Sequence, residues 1–171
     1  MTSARIDSID GSTVTLQRVQ RAHVPELRRI LRTPEVSARW SEPDEPDWPF
    51  DDTDTAGFVV LLDGQVRGFV QYAEEADPDY RHASIDIFLD PEVHGRGLGR
   101  DAIRALARHL FRDRRHHRIV IDPAADNVAA IRCYEAVGFR PVGVLRRYER
   151  DHDGTGWHDG LLMDLLADDF D

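Results

Sequence analysis

The order of periodic segments predicts an α+β fold: one mixed sheet carrying helices on both faces. Three observations carry that expectation. Runs with a two-residue apolar period alternate with helical stripes in the series β-α-(α)-β-β-β-α-β-α-β-β. Asp63-Gly64 sits between two apolar runs, the strongest short hairpin signal in the chain. A glycine-rich turn, residues 90–100 (Asp-Pro-Glu-Val-His-Gly-Arg-Gly-Leu-Gly-Arg), leaves a strand and opens directly into a helix.

Taken in order, residues 14–19 read as a strand, paired with 6–9 through Asp10-Gly11. A helix is expected over 22–32 with Val24, Leu27, Ile30 and Leu31 inward, stopped by Thr33-Pro34. The acidic, proline-interrupted stretch from Trp40 to Thr55 cannot be a long regular helix and reads as a loop, with a short helical turn near 51–55. Residues 57–62 and 65–73 form the hairpin, and 83–89 the strand before the glycine turn, where Ile85, Ile87 and Leu89 alternate with Asp86, Phe88 and Asp90. Leu98, Ala102, Leu106 and Leu110 then mark one stripe of a helix. Ile119 to Ile121 is a short strand, a helix begins near Asp126 or Asn127, and strands near 141–147 and 160–166 complete the order.

The glycine turn carries the chemistry. Glycines at 95, 97 and 99 remove every second Cβ, so the backbone can take positive φ and approach a ligand closely. The amides exposed there lie at the positive end of a helix, a site suited to phosphate. A plain tight turn is the alternative. The familiar nucleotide loops fit poorly: Gly99 is followed by Arg100-Asp101 rather than Lys-Ser/Thr, and no further glycine stands where a dinucleotide fingerprint needs one.

A second motif follows the strand 119–121. In residues 126–139, Asp126 or Asn127 can cap a helix, Ala130, Cys133, Tyr134 and Val137 fall at helical spacing, and Gly138 ends it. Together the two motifs resemble the GCN5-related N-acetyltransferase (GNAT) superfamily. The glycine loop is similar to its pyrophosphate loop, and the Asn-x-x-Ala-x-x-x-Tyr-x-x-x-Gly-Phe run to the arm that packs on pantetheine. His94 stands where the family usually has Gln or Arg. The resemblance implies a mostly antiparallel twisted sheet with a cofactor cleft between two splayed strands, and acetyl-CoA as cosubstrate without a metal. It implies cofactor contacts from Phe88, Leu89, His94, Gly95, Arg96, Gly97, Leu98, Gly99, Arg100, Asn127 and Ala130.

Residues 77–86, Asp122-Pro123, residues 130–135 and Trp40 further resemble the aminoglycoside 6′-N-acetyltransferase branch. In that branch an aspartate on the strand before the loop serves as base or amine-orienting group, which Asp86 matches, although the spacing to the loop differs by about one residue. An aspartate at the position of Asp122 contacts the cationic sugar. Direct acetyl transfer then needs three tasks met: an amine must lose a proton, an oxyanion must be held and the departing thiolate must gain a proton. Asp86 is expected to accept the proton directly or through water, with an outward-facing strand acid as the alternative. Tyr134 is expected to donate toward the thiolate; a buried structural tyrosine is its rival. Backbone N–H groups near Phe88 and Leu89 can polarise the thioester carbonyl, and Asn127 either bonds pantetheine amides or caps its helix.

Composition bounds the rest. A chain of 171 residues fits one domain, and 32% charged with 41% apolar residues is ordinary for a soluble globule. No apolar run reaches membrane-span length and residues 1–7 lack a signal-peptide core, so a cytoplasmic protein is expected. Net charge −10 argues against general nucleic-acid binding and suits cationic partners. The one cysteine, Cys133, cannot form an internal disulfide and reads as packing. All basic residues are arginine; Arg96 and Arg100 can meet phosphates, the later ones form a solvated face or helix-end charges. His109, His116 and His117 lack zinc-site partners and read as helix-end or surface groups. No nucleophile elbow or Cys/His nucleophile signature appears, which argues against an acetyl-enzyme. Trp40, Trp48, Glu74, Asp77 and Asp122 read either as surface features or as the rim of a pocket for a polyamine or aminosugar. The expected reaction is acetylation of a primary amine on an aminoglycoside or similar polycation. Acetylation of a protein N-terminus and a non-catalytic acyl-CoA sensor are the alternatives. The leucines at 161, 162, 165 and 166 serve a core or an interface, leaving monomer or homodimer open.

Overall fold

The computed structural model describes residues 6–170. Of the amino-terminal stretch read above as lacking a signal-peptide core, residues 1–5 lie outside the described residues. Eight strands form one sheet in the order β1-β2-β3-β4-β5-β6-β8-β7. They are β1 (Ser8–Asp10), β2 (Thr15–Arg18), β3 (Thr55–Leu62), β4 (Gln65–Glu75), β5 (His82–Leu89), β6 (Arg118–Ile121), β7 (Arg140–Arg150) and β8 (Trp157–Leu166). All neighbours are antiparallel except β5 and β6. The helices are α1 (Val24–Leu31), α2 (Pro34–Ser37), α3 (Leu98–Arg112) and α4 (Val128–Val137).

The two-residue period sorts side chains onto the two faces. Phe58, Val60, Val70, Tyr72 and Ile85 face a core closed by Leu98, Ala102, Ile103, Leu106 and Leu110 of α3 and by Tyr134 and Val137 of α4. Val59, Phe69 and Phe88 face the opposite way and meet Leu27, Ile30 and Leu31 of α1 and Val36 of α2. This is the expected α+β architecture, and the hairpin turns on Asp63 and Gly64, both at positive φ.

Several boundaries differ from expectation. The first helix ends at Leu31, stopped before Thr33-Pro34 as expected, but Pro34 then opens α2 at its first position, where its missing N–H costs nothing. Residues 51–54 form no helix and lead straight into β3. β7 and β8 extend to Arg150 and Trp157, lengthening the hairpin that overhangs the cleft described below. Of the late leucines, Leu165 is core, Leu161 packs against it, Leu162 lines that cleft and Leu166 is exposed. His109 and His116 are buried, bonded to Asp113 and Glu74, rather than surface groups.

One unforeseen tether holds the sheet to α3. Asp101, in the first turn, accepts the amides of Ser12, Thr13 and Val14 at 2.8, 2.7 and 2.9 Å. Gly11 is required beside it, because a Cβ there would lie 2.7 Å from the Asp101 carboxylate. Burial opposes ionisation of Asp101, yet the three amides outweigh it and hold the carboxyl below its usual range. Asp101→Ala is expected to lower stability by about 1–2 kcal/mol at neutral pH, read from urea midpoints. A depressed carboxyl stabilises above its unfolded pKa and loses that effect as pH falls toward its folded one. The gap between variant and wild type therefore closes in acid.

Candidate active site

β5 and β6 pair only at Ala83↔Ile119 and Ser84↔Val120, and then separate. The cause lies across the sheet. After Ile121 the chain stays with β8: the Leu161 amide donates to Pro123 O and the Ala125 amide to Asp159 O, both at 2.8 Å. The far edge of β5 from Ile85 to Leu89 is left without a neighbour. A cleft of about 2090 Å³ opens there, walled by β5, the glycine turn, α3, α4, β7 and the segment around α2.

That open edge presents main-chain donors. The Asp90 amide donates to Arg67 O at 2.8 Å, on the β4 side. Strand amides alternate sides, so those of Phe88 and Asp86 also point to β4, while those of Ile87 and Leu89 face the cleft. Phe88 lines the cleft, but its amide is not one of the donors that face it. Its amide is directed at the ladder, and its side chain packs on Trp40 and Phe69, with ring centroids 5.0 and 5.8 Å away.

At the end of β5 the glycine turn is held from beneath. Asp90 is buried and pairs with Arg29 and Arg67 while accepting the Glu92 amide. His94 bonds Leu89 O through Nε2 at 3.0 Å. Gly95 and Gly97 take φ +73° and +79°, and space above both is empty where a Cβ would stand. Among the described residues, the amides of 95–100 donate to no backbone carbonyl. Unpartnered amides at a helix N-terminus, with Arg100 on the cleft wall, fit a diphosphate. Gly95, Gly97, Leu98 and Gly99 line the cleft with it, whereas Arg96 does not.

α4 forms the opposite wall. Asn127 caps it by accepting the Ala130 amide at 3.3 Å, and Gly138, at φ +121°, ends it. The side-chain amide nitrogen of Asn127 stays available, so capping and ligand contact are compatible. Asn127, Ala130, Cys133 and Tyr134 all line the cleft. Cys133 packs against the main core, as expected, while half-buried at the cleft wall, and burial pushes its thiol up.

Asp86 and Tyr134 come into one electrostatic neighbourhood. Asp86 is open to solvent along the cleft but enclosed on its other sides, and this desolvation raises its carboxyl. Gln71, whose Nε2 lies 3.4 Å from Oδ2, opposes the rise, and the carboxylates of Asp122 and Glu149 add to it. Burial, then Cys133, Asp86 and Asp122, raise the Tyr134 phenol far above its ordinary range. The Tyr134 ring packs 6.2 Å from Phe139, and its hydroxyl has no hydrogen-bond partner among the described residues. The Tyr148 phenol is pushed up to about 12, chiefly by its hydrogen bond to Asp122.

The expected acceptor residues divide. Trp40 and Asp122 line the cleft; Trp48, Glu74 and Asp77 do not. Trp48 packs on Phe69 and under Arg28. Glu74 is bound to Arg114 at 2.6 Å and His116 at 2.7 Å, and Asp77 caps the turn at Asp79. Residues not anticipated take their place, namely Tyr148, Glu149, Asp151 and His158 from the β7–β8 hairpin. For Tyr148, Glu149 and Asp151 the only signal in the sequence is the charged run 147–153 beside a strand, and His158 lies outside it.

Residues 24–139 match the acetyltransferase (GNAT) family. The chain is 35% identical over 100 residues to the aminoglycoside N(6′)-acetyltransferase type 1 of Klebsiella pneumoniae, covering 52% of this chain and 49% of that one. It is 37% identical over 73 residues to the N-alpha-acetyltransferase RimI of Mycobacterium tuberculosis, covering 43% and 44%. The chain spans about half the length of these curated relatives. Its fold is that of spermidine N-acetyltransferase from Vibrio cholerae, solved with CoA and spermine, at TM-score 0.77 and 22% identity over 92% of this chain and 98% of that one.

Proposed function

The chain belongs to the GNAT acetyltransferase family, and on that premise we propose that it acetylates a primary amine of an aminoglycoside or similar polycationic small molecule in a ternary complex. One arrangement carries the reading: an anion cradle at 95–100, a bare strand edge beside it, and Asp86, Asp122 and Glu149 grouped across from Tyr134.

Acetyl-CoA, when bound, supplies an acetyl group already activated as a thioester. The amides of 95–100 and Arg100 hold its diphosphate, and Asn127 meets the pantetheine arm. The Ile87 and Leu89 amides on the open edge polarise the acetyl carbonyl. Asp86 takes the proton from the acceptor ammonium, directly or through one water, and its raised carboxyl makes it a stronger base than an ordinary aspartate. Tyr134 donates a hydrogen bond to the departing sulfur. Cys133 forms no acetyl-enzyme, since its thiol is held protonated by burial. Asp122 and Glu149 bind the acceptor's remaining positive charge, with the Trp40 face as one wall. A dependence on acetyl-CoA favours the cytoplasm as the place of work.

Incubation with acetyl-CoA and a thiol reagent, across amino sugars, polyamines and peptides, tests this. Free CoA should appear with kanamycin-type sugars or polyamines and not with peptides. Release with peptides alone would favour N-terminal acetylation, and CoA binding without release would mean a sensor.

A further inference from the structure

We propose that Arg132 binds the 3′-phosphate of coenzyme A and so makes the cleft select CoA over 3′-dephospho-CoA. This rests on the reading above that residues 95–100 hold the diphosphate of that cosubstrate. The meeting of α3 and α4 sets the place. A Cβ on Gly99 would stand 3.5 Å from Cys133 Sγ, so the first turn of α3 lies against α4 at that pair. Arg100 follows Gly99 and Arg132 precedes Cys133; both arginines are exposed and both line the cleft. Burial raises the Cys133 thiol and the Arg100 guanidinium opposes that rise, which puts this cation beside the α4 wall. The rest of that wall is small: Ala129, Ala130, Cys133 and Ala136 face the cleft, and Arg132 is the charge that α4 brings to it.

No carboxylate neutralises either cation. Among the described residues neither Arg100 nor Arg132 is in an ion pair. The acids closest in sequence are engaged or turned away: Asp101 accepts the amides of residues 12–14, Asp126 pairs with Arg39, and Glu135 does not line the cleft. In a chain of 32 acidic and 22 basic residues, this wall is thus kept free of negative charge. A phosphate that arrives there breaks no internal ion pair, and the planar guanidinium fork fits two of its oxygens at once. The amide cradle with Arg100 already supplies what a diphosphate needs. Arg132 stands off that cradle, on the other helix, as a cation in excess. The anion of CoA that remains is the phosphate on its ribose, one sugar away from the diphosphate, a separation that a long arginine side chain spans.

Calorimetric titration of wild type, Arg132→Ala and Arg100→Ala with CoA and with 3′-dephospho-CoA tests this. Wild type should bind CoA roughly three- to tenfold tighter than 3′-dephospho-CoA, the worth of one charge-assisted phosphate contact at an exposed site. Arg132→Ala should bind both ligands alike, with the affinity wild type has for 3′-dephospho-CoA. Arg100→Ala should weaken both ligands equally and keep the preference, because it acts on the diphosphate they share. The wild-type preference should also shrink between about 0.05 M and about 0.5 M salt. Arg132 is exposed and unpaired, so the free variant should melt with wild type, and Arg132→Lys should retain part of the preference as an independent readout. Equal losses for the two ligands in Arg132→Ala would make it a second diphosphate contact and overturn the proposal, as would a wild type indifferent to the 3′-phosphate. Binding of neither nucleotide removes this subsite together with the acetyl-CoA reading. A 3′-phosphate preference without CoA release in the amine panel upholds the subsite and removes acetyl transfer instead.

Discussion

Asp86→Asn is expected to lower kcat by roughly 10²- to 10³-fold near neutral pH, the range general-base catalysis commonly supplies. The amide keeps the size of the carboxylate and can still bond Gln71, but it cannot take a proton. Two features of the wild-type site fix how the defect varies with pH. Desolvation and the nearby charges of Asp122 and Glu149 raise the Asp86 carboxyl, so the acid limb of the wild-type profile lies above the usual aspartate range. At high pH the free amine becomes abundant without help, so the gap between variant and wild type should narrow. Initial rates of CoA release from about pH 5.5 to about pH 9.5 read both effects. A uniform loss at every pH would make Asp86 a substrate-placing group rather than a base.

The same shift predicts the stability of the variant. A carboxyl whose folded pKa is raised favours folding while protonated, and that contribution is lost as pH rises through the folded value. Toward high pH Asp86→Asn removes a carboxyl whose charge the fold disfavours, so the variant should melt no lower than wild type at about pH 8. A lower melting temperature there would show that lost activity reflects lost structure.

How far the sequence reveals this site follows from which forces are local. The period of two through 85–89 put Asp86 on a half-buried strand, the stripe of α3 and the spacing of α4 placed Gly97 and Tyr134, and Gly95 and Gly97 marked positive φ, whereas Gly99 lies inside α3 without it. Each is a property of neighbouring residues. Long-range pairs left no such trace. Glu74 looked like one loop acid among several, yet its partners Arg114 and His116 stand 40 and 42 positions away. Nothing local distinguished Asp90 or Asp101, though one is buried between two arginines and the other ties α3 to the β1–β2 turn. The far end of the β7–β8 hairpin was hidden for a different reason. Its pairing is irregular between Leu145 and Glu149, with Arg147 at φ +48° and its amide bonded to Asp159. That irregularity breaks the two-residue period where Tyr148 and Glu149 line the cleft, and no glycine announces it. Pro34 marked the end of α1 correctly but hid the start of α2, since the residue that ends one helix is also the favoured first residue of another.

Tyr134→Phe is expected to lower kcat by roughly 10- to 10²-fold, somewhat below the loss from removing one oxyanion donor because sulfur is a softer acceptor. The substitution is close to a pure deletion of the hydroxyl. Phenylalanine keeps the packing against Phe139, and no described residue loses a hydrogen-bond partner. CoA affinity measured by calorimetry should therefore change by less than about twofold, since the diphosphate is held at 95–100. The direction of the phenol shift decides what the hydroxyl does. Raised by burial and by its anionic neighbours, it is a far weaker acid than a thiol of pKa about 8.5. Full proton transfer from Tyr134 to a thiolate would run uphill, so its contribution is a hydrogen bond to charge developing on sulfur. Such a phenol also stays protonated throughout the working range. The Tyr134→Phe defect should thus be constant between about pH 6 and about pH 9, in contrast to the pH-dependent defect of Asp86→Asn. A defect that grows toward high pH would mean that the tyrosine titrates during turnover, and an unchanged kcat would leave it a packing residue only.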